Sequence, residues 1–186
     1  MNENFKADDL NSIPVDAELE KEQSDLLEQE EQAVEFEIED YLKQINLDSR
    51  KDERVVSFLL IYALDRFDYD VSLESVSDNY LRGFNLVIPK NSFAFKMAQG
   101  AVDNRDDLDA KMVPFLKNWK LERLGCCTRL ILRLALWELS QPDPIPSIVI
   151  NEAVELAKIF AEKDAYKFVN GLLDEFCKQN GLVKPE

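Results

Sequence analysis

Two apolar helical patterns separated by a short polar break constrain the fold of this chain more than any other feature of its sequence. Apolar residues recur at steps of three and four over residues 150–160 and again over residues 168–176. Such spacing places apolar side chains along one face of a helix. Residues 145–176 are therefore predicted to form two amphipathic helices, hinged at residues 162–164.

The ends of these two helices carry local signals. Pro146 suits a first helical turn, where its missing N–H is not needed, and Ser147 can supply an acceptor for the free amides there. Asp164 can open the second helix as an N-cap, and Gly181 can close it. The sequence thus predicts where each of the two helices begins and where the second one ends.

Two further segments are apolar on nearly every side. Residues 55–64 lack a polar face, and residues 130–139 are interrupted only by Arg133 and Glu138. A helix that is apolar all round has to be covered by neighbours. Because an unpaired buried charge is costly, we expect the two isolated charges to have partners.

The first turn of the earlier apolar helix is basic. Asp48 or Ser49 can cap it, and the turn contains Arg50, Lys51 and Arg54. Cations at a helix N-terminus oppose the helix dipole, so helix stability alone does not explain them. Phosphate contact would explain them, but three cations interrupted by acids also fit a plain solvated helix end. We expect only this turn and the far end of the helix to face water.

The remaining segments add helices and connections without a strand pattern. Helical spacing returns over residues 72–81 and over residues 91–115, with a candidate break at Gly100 or at Asn104–Arg105. Neither strand periodicity nor βαβ alternation occurs. We therefore predict an all-α fold of about seven helices.

Composition excludes several kinds of site. The 186 residues include no histidine and only five glycines, which rules out histidine triads, histidine zinc sites and glycine-rich phosphate loops. Three cysteines, two of them adjacent, give neither a disulfide framework nor metal-ligand spacing, so we expect reduced thiols. No apolar run reaches membrane-spanning length and no signal peptide is recognisable, so we expect a soluble cytoplasmic protein.

The net charge of −15 is concentrated at one end of the chain. Residues 1–49 have 16 Asp and Glu against three Lys, a net charge of −13, whereas residues 50–186 have 21 acids and 19 bases, a net charge of −2. Residues 1–15 are expected to be disordered, and an amphipathic helical pattern follows over residues 16–45. This acidic extension is either a solvated appendage or an arm whose carboxylates compete with RNA phosphates for a basic patch.

Three long motifs resemble the NusB family of bacterial transcription antitermination factors. They are LILRLALWEL, IPSIVINEAVELAKIF and DAYKFVNGLLDEF, which begin at Leu130, Ile145 and Asp164. Upstream, RKDERVVSFLLIY is similar to the basic first helix of that family, and Gly100, Pro114 and WKLERL fit its middle helices. The likeness covers about residues 50–178.

The resemblance implies a NusB-like, non-enzymatic fold of two packed helical subdomains over residues 50–180, between the acidic extension at 1–49 and a short tail at 181–186. Family members bind the boxA segment of nascent ribosomal RNA leader transcripts together with NusE, a small-subunit ribosomal protein. The pair helps to tether the transcript to elongating RNA polymerase and suppresses termination. The implied partners are single-stranded boxA RNA, NusE and the polymerase antitermination complex, with no cofactor, metal, membrane or small-molecule substrate.

Position by position, the resemblance assigns RNA contacts to the basic first turn and to the start of the last helix. Phe168 could stack an unpaired base while Lys167 contacts phosphate, although Phe168 could also be a core residue and Asp164 only an N-cap. The positions associated with NusE are Tyr62 and Thr128. The implied RNA-binding residues are Arg50, Lys51, Arg54, Phe115, Asp164, Lys167 and Phe168, and we expect both helix ends to form one surface.

Three departures from the family pattern keep other functions open. Asp52 and Glu53 interrupt the basic run, Thr128 stands where an acidic residue is expected, and the acidic extension has no counterpart. The alternative is a protein-interaction module of the same fold, with weakened RNA binding and regulated by the acidic arm. The helical domain of an RNA methyltransferase would need a second domain and a glycine-rich cofactor loop, which these residues do not provide.

Deleting residues 1–49 distinguishes the two roles of the acidic extension. If its carboxylates compete with phosphate, the truncated chain binds boxA-type RNA more tightly than the full chain, and the difference shrinks as salt rises. Fluorescence anisotropy of a labelled RNA measures both Kd values. An unchanged Kd would show that the extension is a solvated appendage.

Overall fold

The computed structural model of the chain describes residues 45–79, 83, 86–116 and 120–182. These ranges contain seven α-helices, two short 3₁₀ turns at Val113–Phe115 and Leu121–Arg123, and no strand. The helices are α1 (Arg50–Arg66), α2 (Leu73–Asn79), α3 (Phe93–Asp103), α4 (Arg105–Met112), α5 (Cys126–Leu139), α6 (Pro146–Phe160) and α7 (Ala165–Gln179). The predicted all-α fold of about seven helices is confirmed.

The predictions made for residues 1–44 lie outside the described part of the chain, as do the end of the helical spacing predicted over residues 72–81 and the first residue of the WKLERL motif, Trp119. Where the structure is described, no helix is long and apolar enough to cross a membrane.

The helices pack in two groups around the two apolar helices. In one group α1 contacts α2 and α3, and in the other α5 contacts α4, α6 and α7, while α6 and α7 pair with each other. Contacts of α5 with α1 and α3 join the groups. The core lies between them, and its largest fully buried side chains are Phe58, Leu60, Ile61, Leu64, Met97, Leu108, Met112, Leu130, Ile131, Leu132 and Leu134.

The first turn of α1 is more deeply buried than its sequence indicated. Ser49 is the N-cap, and its hydroxyl accepts a hydrogen bond from the Asp52 amide at 3.4 Å. Glu53 is 6 % exposed because its carboxylate caps α3, accepting from the amides of Phe93 at 2.8 Å and Ala94 at 3.3 Å. The expectation that the whole first turn faces water is therefore wrong.

The ends of α6 and α7 follow the predicted signals in part. Pro146 is the first residue of α6, but Ser147 is exposed and makes no capping hydrogen bond, so that prediction is wrong. Asp164 occupies the N-cap position of α7 in a left-handed conformation, with φ 67°, and its side chain does not cap the helix.

The predicted stop of α7 at Gly181 is confirmed. Gly181 has φ 66°, and the Leu182 amide donates to the Cys177 carbonyl at 2.9 Å while the Gly181 amide donates to the Lys178 carbonyl at 3.3 Å. This pair of bonds is the Schellman arrangement, which satisfies carbonyls at a helix end.

Both isolated charges of α5 have partners, as predicted. Arg133 donates two hydrogen bonds to Asp109 of α4, at 2.7 and 2.8 Å, and a third to the Tyr69 hydroxyl at 3.1 Å. Glu138 accepts from Arg54 of α1. The break predicted near residue 104 is also found, since Asn104 separates α3 from α4. These ion pairs join α5 to α4 and to α1.

Replacing each of two helical glycines by alanine should change the free energy of unfolding in opposite directions. A Cβ on Gly100 of α3 would overlap the Trp137 indole of α5, whereas nothing lies within 4 Å of a Cβ on Gly171 of α7. We expect Gly100→Ala to lower the free energy of unfolding by about 1–3 kcal/mol through overpacking. Gly171→Ala should raise it by about 0.5–1 kcal/mol, because alanine is the better helix former.

Urea unfolding followed by circular dichroism measures both effects. A neutral or stabilising Gly100→Ala would contradict the close approach of α3 and α5.

Candidate nucleic-acid interface

An open concavity of about 610 Å³ lies beside the start of α7. It is formed by the segment before α5, the first turns of α5 and α7, and the turn that joins α6 to α7. Its lining residues are Arg123, Leu124, Gly125, Thr128, Glu162, Lys163, Asp164, Ala165, Lys167 and Phe168. Three predicted RNA contacts and one predicted NusE contact are thus brought together at one place.

Glu162, in the turn between α6 and α7, forms part of the wall of this concavity and contacts the start of α5. The Thr128 hydroxyl donates to the Glu162 carboxylate at 2.7 Å, and a Cβ on Gly125 would overlap that carboxylate. Glycine at position 125 is therefore what lets the carboxylate lie against the start of α5. Thr128 is only 3 % exposed. It acts as a support of the wall and offers almost no surface to a partner.

The exposed start of α7 carries a charged pair. Lys167 Nζ lies 2.7 Å from an Asp164 carboxylate oxygen, and this hydrogen bond raises the pKa of Lys167, so its ammonium stays charged. Phe168 is half-buried and lines the concavity. Phe168 is therefore neither fully in the core nor fully exposed, and part of its side chain faces the concavity.

A row of side chains runs from α7 across α6 to the first turn of α1. Lys167 and Lys158 lie 5.6 and 5.7 Å from the centre of the Tyr166 ring. Lys158 is also bonded to Glu155 at 2.6 Å. The pKa of Glu155 is lowered chiefly by its hydrogen bond to Lys158 and more weakly by the charge of Lys51 on α1. We call Lys51, Glu155, Lys158, Tyr166 and Lys167 the basic row.

The basic row brings the two predicted RNA-binding helix ends toward each other across α6. Contacts join Lys167, Tyr166, Lys158 and Glu155, and α1 meets α6 where Arg54, one turn after Lys51, lies 3.9 Å from Glu152, one turn before Glu155. Asp164 extends the row through its pair with Lys167.

The cations of the first turn of α1 have different surroundings. Arg50 is exposed, pairs with Glu53 at 2.7 Å and lies 4.6 Å from the centre of the Phe93 ring. Arg54 is only 7 % exposed, and its guanidinium donates to both oxygens of Glu138, at 2.6 and 2.9 Å. Its Nη1 lies 3.9 Å from Glu152 of α6.

Arg54 is therefore a structural ion-pair residue. Burial alone lowers the pKa of Arg54, but its hydrogen bond to the Glu138 carboxylate and the charges of neighbouring carboxylates raise it overall. The guanidinium stays charged and fully engaged inside the fold. Its expected exposure at the helix end is not found, and its surface is too small for direct phosphate contact.

Two other predicted residues lie away from the basic row. Phe115 is half-buried and makes an edge-on contact with Phe176, with ring centres 5.6 Å apart. Phe176 is eight residues beyond Phe168, or about 12 Å along α7. Tyr62 is half-buried and stacks on Phe58, which in turn stacks on Phe160 at the end of α6. Tyr62 is thus connected to the α6–α7 turn, and Phe115 to the opposite end of α7.

The sequence alone did not single out Tyr166, Arg123, Lys163 or Glu162. Tyr166 could have been predicted from the sequence, because an aromatic residue beside lysine is common in surfaces that bind single-stranded nucleic acid. Glu162 could not, since its contacts with Thr128 and Gly125 join residues more than 30 positions apart.

The cysteines do not offer a reactive centre. All three are free, with Cys177 buried and the other two half-buried. Burial raises the pKa of Cys126 to about 12 and those of Cys127 and Cys177 to about 11. A raised pKa leaves little thiolate near neutral pH. Among the described residues, no group of His, Cys, Asp or Glu is arranged to hold a metal ion.

Comparison with known proteins gives a consistent result. The sequence profile of the NusB family matches residues 51–178. A transcription antitermination protein NusB from Macrococcus caseolyticus is 34 % identical over 130 residues, which is 70 % of this chain and 97 % of that protein. One from Staphylococcus aureus strain JH9 is 37 % identical over 133 residues, covering 70 % of this chain and 99 % of the relative.

A similar fold is found in a solved crystal structure of the antitermination factors NusB and NusE in complex with dsRNA. The matched chain is 27 % identical, with a TM-score of 0.59, and the match covers 70 % of this chain and 96 % of that one.

Replacing neighbouring cations of α1 should separate structural from surface roles. Arg54→Met leaves Glu138 buried without its partner, so we expect the free energy of unfolding to fall by about 3 kcal/mol. Lys51→Met, on the same turn but exposed, should leave it unchanged within error. Chemical denaturation compares the two variants. Equal stability of both would show that the Arg54–Glu138 pair does not stabilise the fold.

Proposed function

The chain belongs to the NusB family, and on that basis we propose that it is a transcription antitermination factor that binds RNA together with NusE. The RNA is the boxA segment of ribosomal RNA leader transcripts, and binding supports processive transcription of ribosomal RNA by tethering the transcript to RNA polymerase. The protein acts by binding and catalyses no reaction.

The observation that carries this proposal is the basic row. It leads from Lys51, at the first turn of α1, across α6 to Lys167, at the start of α7, and α1 and α6 are in contact there through Arg54 and Glu152. Neutralisation of phosphates by lysine and arginine supplies much of the affinity of proteins for nucleic acid. A strand that followed the row would meet a cation at each end and one in the middle.

The carboxylates along the row do not prevent this role. Lys158 and Lys167 each pair with an acid three residues earlier on the exposed surface. Exposed pairs of this kind are weak and are screened by salt. Phosphate groups can therefore replace Glu155 and Asp164 as the partners of the two ammonium groups.

The predicted residues take distinct parts in this proposal. Arg50, Lys51 and Lys167 contact phosphates, and Phe168 stacks a base at the rim of the concavity. Asp164 pairs with Lys167 in the free protein and gives way to phosphate in the complex. Arg54 and Phe115 are left out as direct contacts, because the first is buried in an ion pair and the second packs on Phe176.

NusE is proposed to bind on the side of α1 that presents Tyr62. The aromatic contacts from Tyr62 through Phe58 to Phe160 connect this side with the α6–α7 turn. Thr128 contributes indirectly, since its hydroxyl holds Glu162 at the wall of the concavity. RNA and NusE would then occupy adjoining surfaces, and each would stabilise the structure that the other binds.

Two lysines of α7 form a matched pair for testing RNA binding. Lys167 and Lys178 are similarly exposed, at 65 % and 59 %, and each pairs with an aspartate of the same helix or its cap. We expect Lys167→Ala to weaken RNA binding about fivefold and Lys178→Ala to leave it unchanged, because only Lys167 belongs to the basic row.

The measurement is a titration of labelled boxA-type RNA, single-stranded and double-stranded, with and without NusE, at several salt concentrations. Loss of one phosphate contact should also reduce the slope of log K against log salt by about 0.7 for single strands. Absence of binding by the unmodified chain at low salt, with and without NusE, would overturn the proposed function. Binding of NusE without RNA would favour the protein-interaction module.

A further inference from the structure

Tyr166 occupies the centre of the basic row and has no role in the assignments made so far. It lies in the first turn of α7, is half-buried, and has a lysine ammonium near its ring from each of two helices. Lys158 of α6 lies 5.7 Å from the ring centre and Lys167 of α7 lies 5.6 Å from it. The ring is therefore partly open to solvent and lies near two exposed lysine ammonium groups.

Both cations are held by weak, exchangeable partners. Lys158 pairs with Glu155 at 2.6 Å and Lys167 pairs with Asp164 at 2.7 Å, and all four side chains are about half exposed or more. Contacts of ammonium groups with an exposed aromatic ring are likewise modest. The lysines can leave the ring without disturbing any buried interaction.

We propose, on the basis of the RNA-binding function proposed above, that Tyr166 is a base-stacking residue of the RNA surface, with Lys158 and Lys167 contacting the phosphates on either side of the stacked base. An aromatic face flanked by cations is suited to an unpaired nucleotide, because every base has a π face and every linkage has a negative charge.

This assignment places two aromatic residues on opposite sides of Lys167. Phe168 faces the concavity formed with α5, whereas Tyr166 faces the end of α6 that presents Lys158. Side chains two positions apart on a helix point in widely different directions. One unpaired base at each ring would place the intervening phosphate at Lys167. A duplex could not use both rings in this way.

The flanking lysines also determine which ligand fits. The two ammonium groups near the ring would repel a cationic peptide, and the half-buried ring has too little area to anchor an apolar partner on its own. An unpaired nucleotide uses the ring and both charges at once.

The test compares three single substitutions in the full chain bound to NusE. We expect Tyr166→Leu to weaken binding of single-stranded boxA-type RNA about 5- to 20-fold, in the lower part of the roughly 5- to 150-fold range found when a stacking aromatic is removed. Tyr166→Phe keeps the ring and should stay within about twofold of the unmodified chain, since stacking does not need the hydroxyl. Phe67→Leu, at a 52 % exposed aromatic beyond the far end of α1, is the control and should have no effect.

The salt dependence separates stacking from charge. Tyr166→Leu should lower affinity without changing the slope of log K against log salt, whereas Lys158→Ala should reduce that slope by about 0.7. A purely structural defect at Tyr166 would instead disturb Lys158 and Lys167 together and change the slope. Tyr166→Trp provides a direct signal, because stacking on a base should quench its fluorescence when RNA is added.

The stacking role would be overturned if Tyr166→Leu bound RNA within twofold of the unmodified chain, or if the fluorescence of Tyr166→Trp did not change when RNA bound. Either result would leave the proposed function unaffected. Failure of the unmodified chain to bind RNA would overturn the proposed function itself.

Discussion

The buried ion pair between Arg54 of α1 and Glu138 of α5 is the interaction on which the rest of the structure depends. Both of its hydrogen bonds are short, and Arg54 is almost completely removed from water. A buried charge without a partner costs several kcal/mol, so the two helices have to meet in the register that joins these groups. Glu53, one residue earlier, caps α3 and fixes the third helix at the same point. One helical turn therefore orients α1 against both helix groups.

The proposed RNA surface follows from that constraint. Once Arg54 faces Glu138 of α5 and Glu152 of α6, Lys51, one turn earlier, is placed on the side of α1 next to α6. At the other end, Gly125 and Thr128 let Glu162 lie against the start of α5, which positions the turn before α7. The cations at both ends of the basic row are thus placed by buried or half-buried contacts just beneath them. The lysines themselves remain exposed and weakly paired, as a surface that exchanges carboxylate for phosphate requires.

Local patterns were sufficient to predict the helices but not the roles of individual side chains. The periodicity of α6 and α7, the stop at Gly181 and the pairing of Arg133 and Glu138 could be read from neighbouring residues, because each depends on one helix or on the general cost of a buried charge. Which of the three cations in the first turn of α1 would be buried depended on a residue 84 positions away. The support of Glu162 by Thr128 likewise depends on tertiary contacts that no local pattern encodes.

The central claim is that one RNA contacts the first turn of α1 and the start of α7 together. An NMR titration of the isotope-labelled chain with single-stranded boxA-type RNA tests it most directly. If one RNA spans both sites, the amide signals of Lys51 and Lys167 will shift along the same saturation curve, with one Kd, while that of Lys178 at the other end of α7 stays unchanged. Shifts at only one of the two sites, or two different Kd values, would contradict it.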